Sequence, residues 1–139
     1  MTFLLDTNVV SELRKGRRMD ARVRAWDLAT RDDEKFLSVL TLGEIRRGIE
    51  RIRRKDIGQA RALDTWLRVL VREHETHILP VDVAVAEEWG RLMDPVTLPV
   101  IDGLLAATAL VHGLTLATRN IKDVARTGVP TVNPFADAS

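Results

Sequence analysis

Short apolar runs alternate along the whole chain with longer stretches in which apolar residues recur every three or four positions. Strand and helix in repeated succession produce this pattern, and it predicts an α/β fold whose sheet is mostly parallel. Residues 2–5, 35–39, 76–80, 115–117 and 131–132 read as strands, and all but the last are followed by a turn, cap or helix signal. Helices are expected over 7–15, 21–31, 41–54, 58–74, 83–93 and 103–112, with Gly16 and Gly113 suited to positions just past a helix end. In the 41–54 segment, Leu42, Ile45, Ile49 and Ile52 fall on one helical stripe, which should face the sheet. The 103–112 segment is apolar nearly all round, so it should be deeply packed and its starting position well defined.

Composition narrows this picture. A chain of 139 residues with 45% apolar and 29% charged residues supplies a core and an ordinary polar surface, and no linker or repeat divides it, so a single domain over 1–139 is expected. The 21 Lys and Arg nearly balance the 20 Asp and Glu, and a net charge of +1 gives no argument for a nucleic-acid or membrane partner unless the charge is locally organised. The absence of cysteine excludes disulfides, thiolate zinc sites and thiol nucleophiles. Residues 1–5 meet Asp6 without the basic and long apolar regions of a signal peptide, and the longest uncharged run, 103–118, is too short and polar to span a bilayer. A cytoplasmic location without membrane association is the expectation.

In an open parallel sheet, ligands collect outside the carboxyl ends of the strands, and acidic residues recur there. Asp6 follows the first strand, Glu44 falls in the first turn of the predicted helix after the second, Asp102 begins the buried helix, and Asp123 lies six residues beyond 115–117. Brought together, each like-charge pair would cost about 1 to 4 kcal/mol, and such a cluster calls for a cation. All-oxygen ligands suit a hard ion, Mg²⁺ or Mn²⁺. Singly, each acid has a plainer role: Asp6 and Asp102 as helix N-caps, Glu44 as a complement to the helix dipole, Asp123 as a loop residue. Asp82 reads as an N-cap of the same kind, so only the combination carries weight.

Arg47 and Arg51 follow Glu44 on one side of its helix, with Gly48 leaving space beside them, and could hold phosphates or simply form an ion pair and a solvated face. Arg14, Lys15, Arg17 and Arg18 make a second basic cluster open to the same two readings. Other chemistries lack their motifs. There is no Gly-x-Ser-x-Gly elbow, Gly-rich phosphate loop or dinucleotide fingerprint. His74 and His77 lack the zinc-protease spacing and, with His112, read as surface or helix-end residues. Six aromatic residues supply a base-stacking platform poorly, and Trp26, Trp66 and Trp89 read as core or interface residues.

Four segments in order carry a family likeness: Phe-Leu-Leu-Asp6-Thr7-Asn8-Val, Leu-Ser-Val-Leu-Thr41-Leu-Gly-Glu44, Pro-Val-Ile-Asp102-Gly-Leu-Leu-Ala-Ala-Thr-Ala, and Leu-Ala-Thr118-Arg119-Asn120-Ile-Lys-Asp123 with the closing Gly-Val-Pro-Thr-Val-Asn-Pro-Phe. With these the chain resembles, over nearly its whole length, the PIN-domain ribonucleases, and among them the VapC toxins of bacterial toxin–antitoxin pairs. The resemblance implies a three-layer α/β/α fold with a mostly parallel sheet and a shared acidic site for Mg²⁺ or Mn²⁺. Asp6 and Asp102 would take the principal metal positions and Glu44 the second acidic position. Asp123 would be the fourth acid of the subgroup written Thr-Arg-Asn-x-x-Asp, although other members place an acid where Asn120 stands. Val124 replaces the common Phe, and Gly103 the usual Ala or Ser; neither change removes a ligand.

Thr7, Asn8, Thr118 and Asn120 would then orient carboxylates or water, and Arg47, Arg51 and Arg119 would contact RNA. The implied reaction is metal-dependent hydrolysis of an RNA phosphodiester, with a homodimer silenced by a cognate antitoxin. Two rivals remain. A haloacid-dehalogenase-like phosphatase needs a second Asp where Asn8 stands, and a catalytically silent RNA- or protein-binding adaptor has no need of all four acids.

Overall fold

The computed structural model describes residues 1–137, in which strand and helix alternate as the hydrophobic pattern predicts. In order these are β1 (Phe3–Leu5), α1 (Thr7–Leu13), α2 (Ala21–Ala29), β2 (Lys35–Ser38), α3 (Val39–Arg53), α4 (Ile57–Glu73), β3 (Ile78–Leu79), α5 (Val83–Leu92), α6 (Val100–His112), β4 (Thr115–Ala117), α7 (Ile121–Val124) and β5 (Thr131–Val132). Short 3₁₀ turns at Gly16–Arg18, Asp32–Glu34, Glu75–His77 and Ala125–Thr127 join them. These turns and α7 were not anticipated, because an element of three or four residues is too brief to show helical periodicity.

The strands form one parallel sheet in the order β3-β2-β1-β4-β5. Strand order reverses at β1, where the chain has stepped out through β2 and β3 and then returns to the other side through β4 and β5. That reversal opens a crevice at the carboxyl ends of β1 and β4. Side chains alternate across the sheet, so each strand feeds both faces. Phe3, Leu5, Leu37 and Ala117 join Val9, Val10, Val23, Ile45, Ile49, Leu63 and Leu67 beneath the α1–α4 layer. Leu4 and Leu116 join Leu105, Ala106, Ala109, Val124 and Val129 on the other face. The stripe on α3 faces the first core, with Ile45 and Ile49 buried and Leu42 and Ile52 packed at its margin.

Two helix starts differ from expectation. Ser38, fully buried at the end of β2, accepts a hydrogen bond from the Leu40 N–H, so α3 begins at Val39 and Glu44 falls in its second turn rather than its first. Likewise α6 begins at Val100 after Pro99, whose fixed φ suits a helix entrance. Asp102 is therefore a first-turn residue of α6 and not its N-cap. Asp82 is an N-cap as expected, accepting from the Val85 N–H, and Gly113 ends α6 in the left-handed region at φ 67°. Gly16 likewise has a positive φ in the turn after α1. The turn between α1 and α2 is tied down by Glu12, buried on α1, which accepts from the Asp20 N–H at 2.8 Å and from Lys15 Nζ at 2.9 Å. His74 and His77 lie at the end of α4 and in the turn that follows, and His112 is the last residue of α6. No described helix is long and apolar enough to cross a membrane.

Candidate active site

Asp6 stands where β1 gives way to α1, at the point of strand reversal. Its backbone N–H still donates to the Ala117 carbonyl of β4, extending the ladder by one residue, while its side chain sits at the N-cap of α1. Three donors fix that carboxylate: the Thr7 N–H at 2.7 Å, Thr118 Oγ1 at 2.8 Å and Asn8 Nδ2 at 3.3 Å. Thr118 is itself buried and accepts from the Asn120 N–H, so its hydroxyl proton has one direction left, toward Asp6. The Asn8 amide is oriented by its two partners, since its oxygen accepts from the Arg119 N–H and its nitrogen must then face the carboxylate.

Glu44 comes to the same place from α3. Thr7 Oγ1 donates to its Oε1 at 2.6 Å, joining the end of β1 to the second turn of α3. Asp102 enters from the first turn of α6, half-buried. Burial first, then the fields of Asp6, Asp123 and Glu44, push its carboxyl above the usual carboxylate range. The three other acids singled out in the sequence thus lie close enough to act on Asp102, although the four come from four separate segments. Asp123 is exposed on α7, where its backbone N–H donates to the Asn120 carbonyl, and among the described residues its side chain makes no hydrogen bond.

Among the described residues none of the four forms an ion pair, in a chain with 21 Lys and Arg. Nor do any three His, Asp or Glu side chains among them make a ready cage for a metal ion. The donor set nevertheless fits Mg²⁺, which keeps several waters and needs only one or two carboxylates together with substrate phosphate oxygens.

Of the four polar residues expected to orient the acids, Thr7, Asn8 and Thr118 do so by direct side-chain hydrogen bonds. Asn120 contributes its backbone N–H to Thr118; no hydrogen bond from its side chain is seen among the described residues. Arg47 and Arg51 line a hollow of about 180 Å³ with Glu44 and Gly48, and among the described residues neither forms an ion pair. The Glu44–Arg47 pair allowed by their spacing does not form; Glu44 bonds Thr7 instead. In the second basic cluster, Lys15 is taken by Glu12 and the Arg14 guanidinium lies 6.0 Å from the Trp66 ring centroid.

Two features escaped the sequence reading. A methyl at Gly103 would come within 3.0 Å of both the Trp89 ring and Met93, so the indole and thioether occupy the space that a larger residue beside Asp102 would need. The departure at Gly103, together with a large aromatic in the preceding helix, was the available signal. The second is Phe135, buried beyond β5, over whose ring the Arg119 guanidinium lies at 3.8 Å.

The PIN domain family matches residues 3–129. A VapC ribonuclease, Y4jK of Sinorhizobium fredii, is 32% identical over 97% of this chain and 99% of its own length. The crystal structure of FitAcB from Neisseria gonorrhoeae superposes with a TM-score of 0.87 at 29% identity, covering 96% of this chain and 99% of that one. A toxin–antitoxin complex from Klebsiella pneumoniae gives 0.73 at 26% identity over 96% and 98% of the two chains. A five-strand parallel sheet flanked by helices accords with these matches, and the chain belongs to the PIN-domain family, among the VapC ribonucleases.

Proposed function

We propose that the whole chain acts as one PIN domain, the toxin of a type II toxin–antitoxin pair, and cleaves RNA by hydrolysing phosphodiester bonds at the crevice of Asp6, Glu44, Asp102 and Asp123. The observation that carries this is the gathering of four carboxylates without a Lys or Arg partner, which leaves their charge for a divalent ion. Asp6 and Asp102 are assigned the principal contacts to Mg²⁺, with Mn²⁺ a substitute, and Glu44 and Asp123 complete the acidic set. When bound, such an ion polarises the scissile phosphate and lowers the pKa of an attacking water.

The protein's part is orientation and proton handling. Thr7 holds the Glu44 carboxylate with one oxygen committed, so the other is free to orient or deprotonate water; Asp123 is the other candidate for that proton. Thr118 and Asn8 keep Asp6 in one rotamer, removing motion that would otherwise have to be lost during reaction. Arg47, Arg51 and Arg119 are assigned to the phosphates and bases of the strand. The same reading gives the chain a cognate antitoxin, a homodimeric assembly and a cytoplasmic place of work. Co-expression with the adjacent small open reading frame, followed by gel filtration, tests the first two.

The direct test is end-mapping of total RNA incubated with purified protein and Mg²⁺ or Mn²⁺. Discrete new ends that vanish with Asp6→Ala and with EDTA are expected. Unchanged cleavage by Asp6→Ala would remove the acid crevice from the reaction. No ends and no Mn²⁺ binding would make the chain a silent adaptor.

A further inference from the structure

Arg119 follows Thr118 directly, and its backbone N–H is held by Asn8 Oδ1 at 3.2 Å, so its main chain is fixed relative to Asp6. Its guanidinium carbon lies 3.8 Å from the centroid of Phe135, in van der Waals contact with the ring. Phe135 is only 6% exposed, and its own N–H donates to Asn133 Oδ1 at 2.9 Å, which makes it a firm backing. Arg119 by contrast is exposed and, among the described residues, pairs with no carboxylate. Both residues lie just past the carboxyl ends of neighbouring parallel strands, β4 and β5, the same end of the sheet at which Asp6 follows β1. The guanidinium of an exposed residue is therefore held against a buried aromatic ring, one position past the Thr118 that bonds Asp6.

We infer that the Arg119–Phe135 stack is a base platform, on which an unstacked base of single-stranded RNA beside the scissile phosphate lies against the open side of the guanidinium. This rests on the reading of the crevice as an RNA-cleaving site. The delocalised guanidinium plane stacks on π faces as aromatic rings do, and RNA loops and ends offer splayed bases to such planes. No Phe or Trp side chain among the described residues is classed as exposed, and a guanidinium backed by a ring is a flat surface available beside Thr118. Among the described residues Arg47 and Arg51 have no aromatic backing, and they are left as phosphate contacts. A platform of this kind takes any base but requires it out of a duplex, so it selects single strands over helices.

The test uses the full chain and 12-nucleotide single-stranded oligoribonucleotides in which 2-aminopurine, quenched by stacking, replaces one base at a time. Wild-type protein is expected to quench one or two adjacent positions. Arg119→Ala should abolish that quench and raise Kd about tenfold. Arg119→Lys, which keeps the charge and loses the plane, should recover less than half of the quench. Equal quench and Kd for Arg119→Lys and wild type would reduce the residue to a point charge and overturn the platform, as would quenching at no position. An Arg119→Ala variant with a lowered melting temperature and an intact quench pattern would assign the stack to structure alone. Binding is read apart from cleavage. If the crevice is not a nuclease, wild-type protein with Mg²⁺ leaves total RNA without new ends whatever the fluorescence shows.

Discussion

Glu12 and Asp102 are both carboxylates withdrawn from full solvent exposure, and their surroundings act on them in opposite directions. Glu12 is met by the Asp20 N–H and by Lys15, which hold its carboxyl below the usual range. Asp102 is met by burial and by the fields of Asp6, Asp123 and Glu44, which push it above that range. The first carboxylate is a finished structural contact that closes the turn between α1 and α2. The second belongs to a cluster that costs the fold free energy unless something positive arrives. A carboxylate cluster left uncompensated in this way is a candidate site for a cationic ligand.

Removing the two kinds of charge should therefore have opposite consequences. Asp102→Asn is expected to lower RNA cleavage about a thousandfold, as loss of one of the two principal metal contacts proposed above should. The same change should raise the stability of the metal-free protein by about 1 kcal/mol after solvent screening, seen as a melting temperature a few degrees higher. A variant that cleaves at the wild-type rate, or melts lower than wild type without metal, would break the contrast with Glu12.

Glu12→Gln should act in the reverse sense: a loss of about 1 to 2 kcal/mol, with cleavage by the folded protein preserved. The two residues also have opposite pH signatures. Because the folded pKa of Glu12 is lowered, its contribution is complete above the ordinary carboxylate range and disappears as pH falls through the lowered value. The melting difference between wild type and Glu12→Gln should close on acidification. For Asp102 the folded pKa is raised, so in metal-free protein the penalty sets in as pH rises past the ordinary value and stops growing above the raised one. The difference between Asp102→Asn and wild type should open as pH increases. Parallel profiles for the two variants would mean that both carboxylates are paired alike.

How far this was legible in the sequence depends on the range of the interaction. The strands and the stripe of Ile45 and Ile49 were visible because periodicity is local, and a mostly parallel sheet followed from their alternation with helices. Asp6, Glu44 and Asp102 were visible because they stand at or near a strand end or an expected helix start, positions that the fold class itself marks, whereas Asp123 lies six residues beyond its strand and was a weaker match to the same rule. Glu44 was misplaced by one turn because Val39 looks like a fifth strand residue until the Ser38 hydroxyl is seen capping α3. The role of Glu12 was invisible, since its partner Asp20 is reached only through a turn whose path no pattern encodes. Phe135 likewise meets Arg119 only because β4 and β5 are neighbours in the sheet, a pairing that no local pattern records.

Gly103 tests how tightly the crevice depends on its packing. A methyl there meets Trp89 Cδ1 and Nε1 and Met93 Cε at 3.0 Å, so Gly103→Ala must displace the indole or the start of α6. Met93 can swing aside; a ring packed between α5 and α6 cannot do so freely. The expected cost is about 1 kcal/mol, with cleavage reduced several-fold because Asp102, the preceding residue, moves with the backbone. The Trp89 N–H has no hydrogen-bond partner among the described residues, so a smaller ring sacrifices no polar contact. Trp89→Phe should therefore restore part of both losses when combined with Gly103→Ala. Additive losses in the double variant would show that the indole is not what fills the space.

The smallest effects are expected on α3, where the same contrast lies between neighbouring arginines. Arg46 is bound to Asp64 at 2.6 Å and to Glu50 at 3.2 Å, and Arg53 shares both partners, so this face carries a closed charge network. Arg47 and Arg51, four residues apart on a different side of α3, line the hollow beside Glu44, and among the described residues neither forms an ion pair. Arg46→Ala should lower the melting temperature slightly and leave RNA binding unchanged, because an exposed pair contributes little and its charge is already neutralised. Arg47→Ala should leave stability unchanged, weaken binding of any single-stranded oligoribonucleotide by a few-fold, and reduce the slope of log Kd against log salt concentration by about one contact. The salt slope is the discriminating measurement, since it counts phosphates released from their counterions whatever the base sequence. An unchanged slope for Arg47→Ala together with a reduced one for Arg46→Ala would exchange the two faces and move the RNA path away from Glu44.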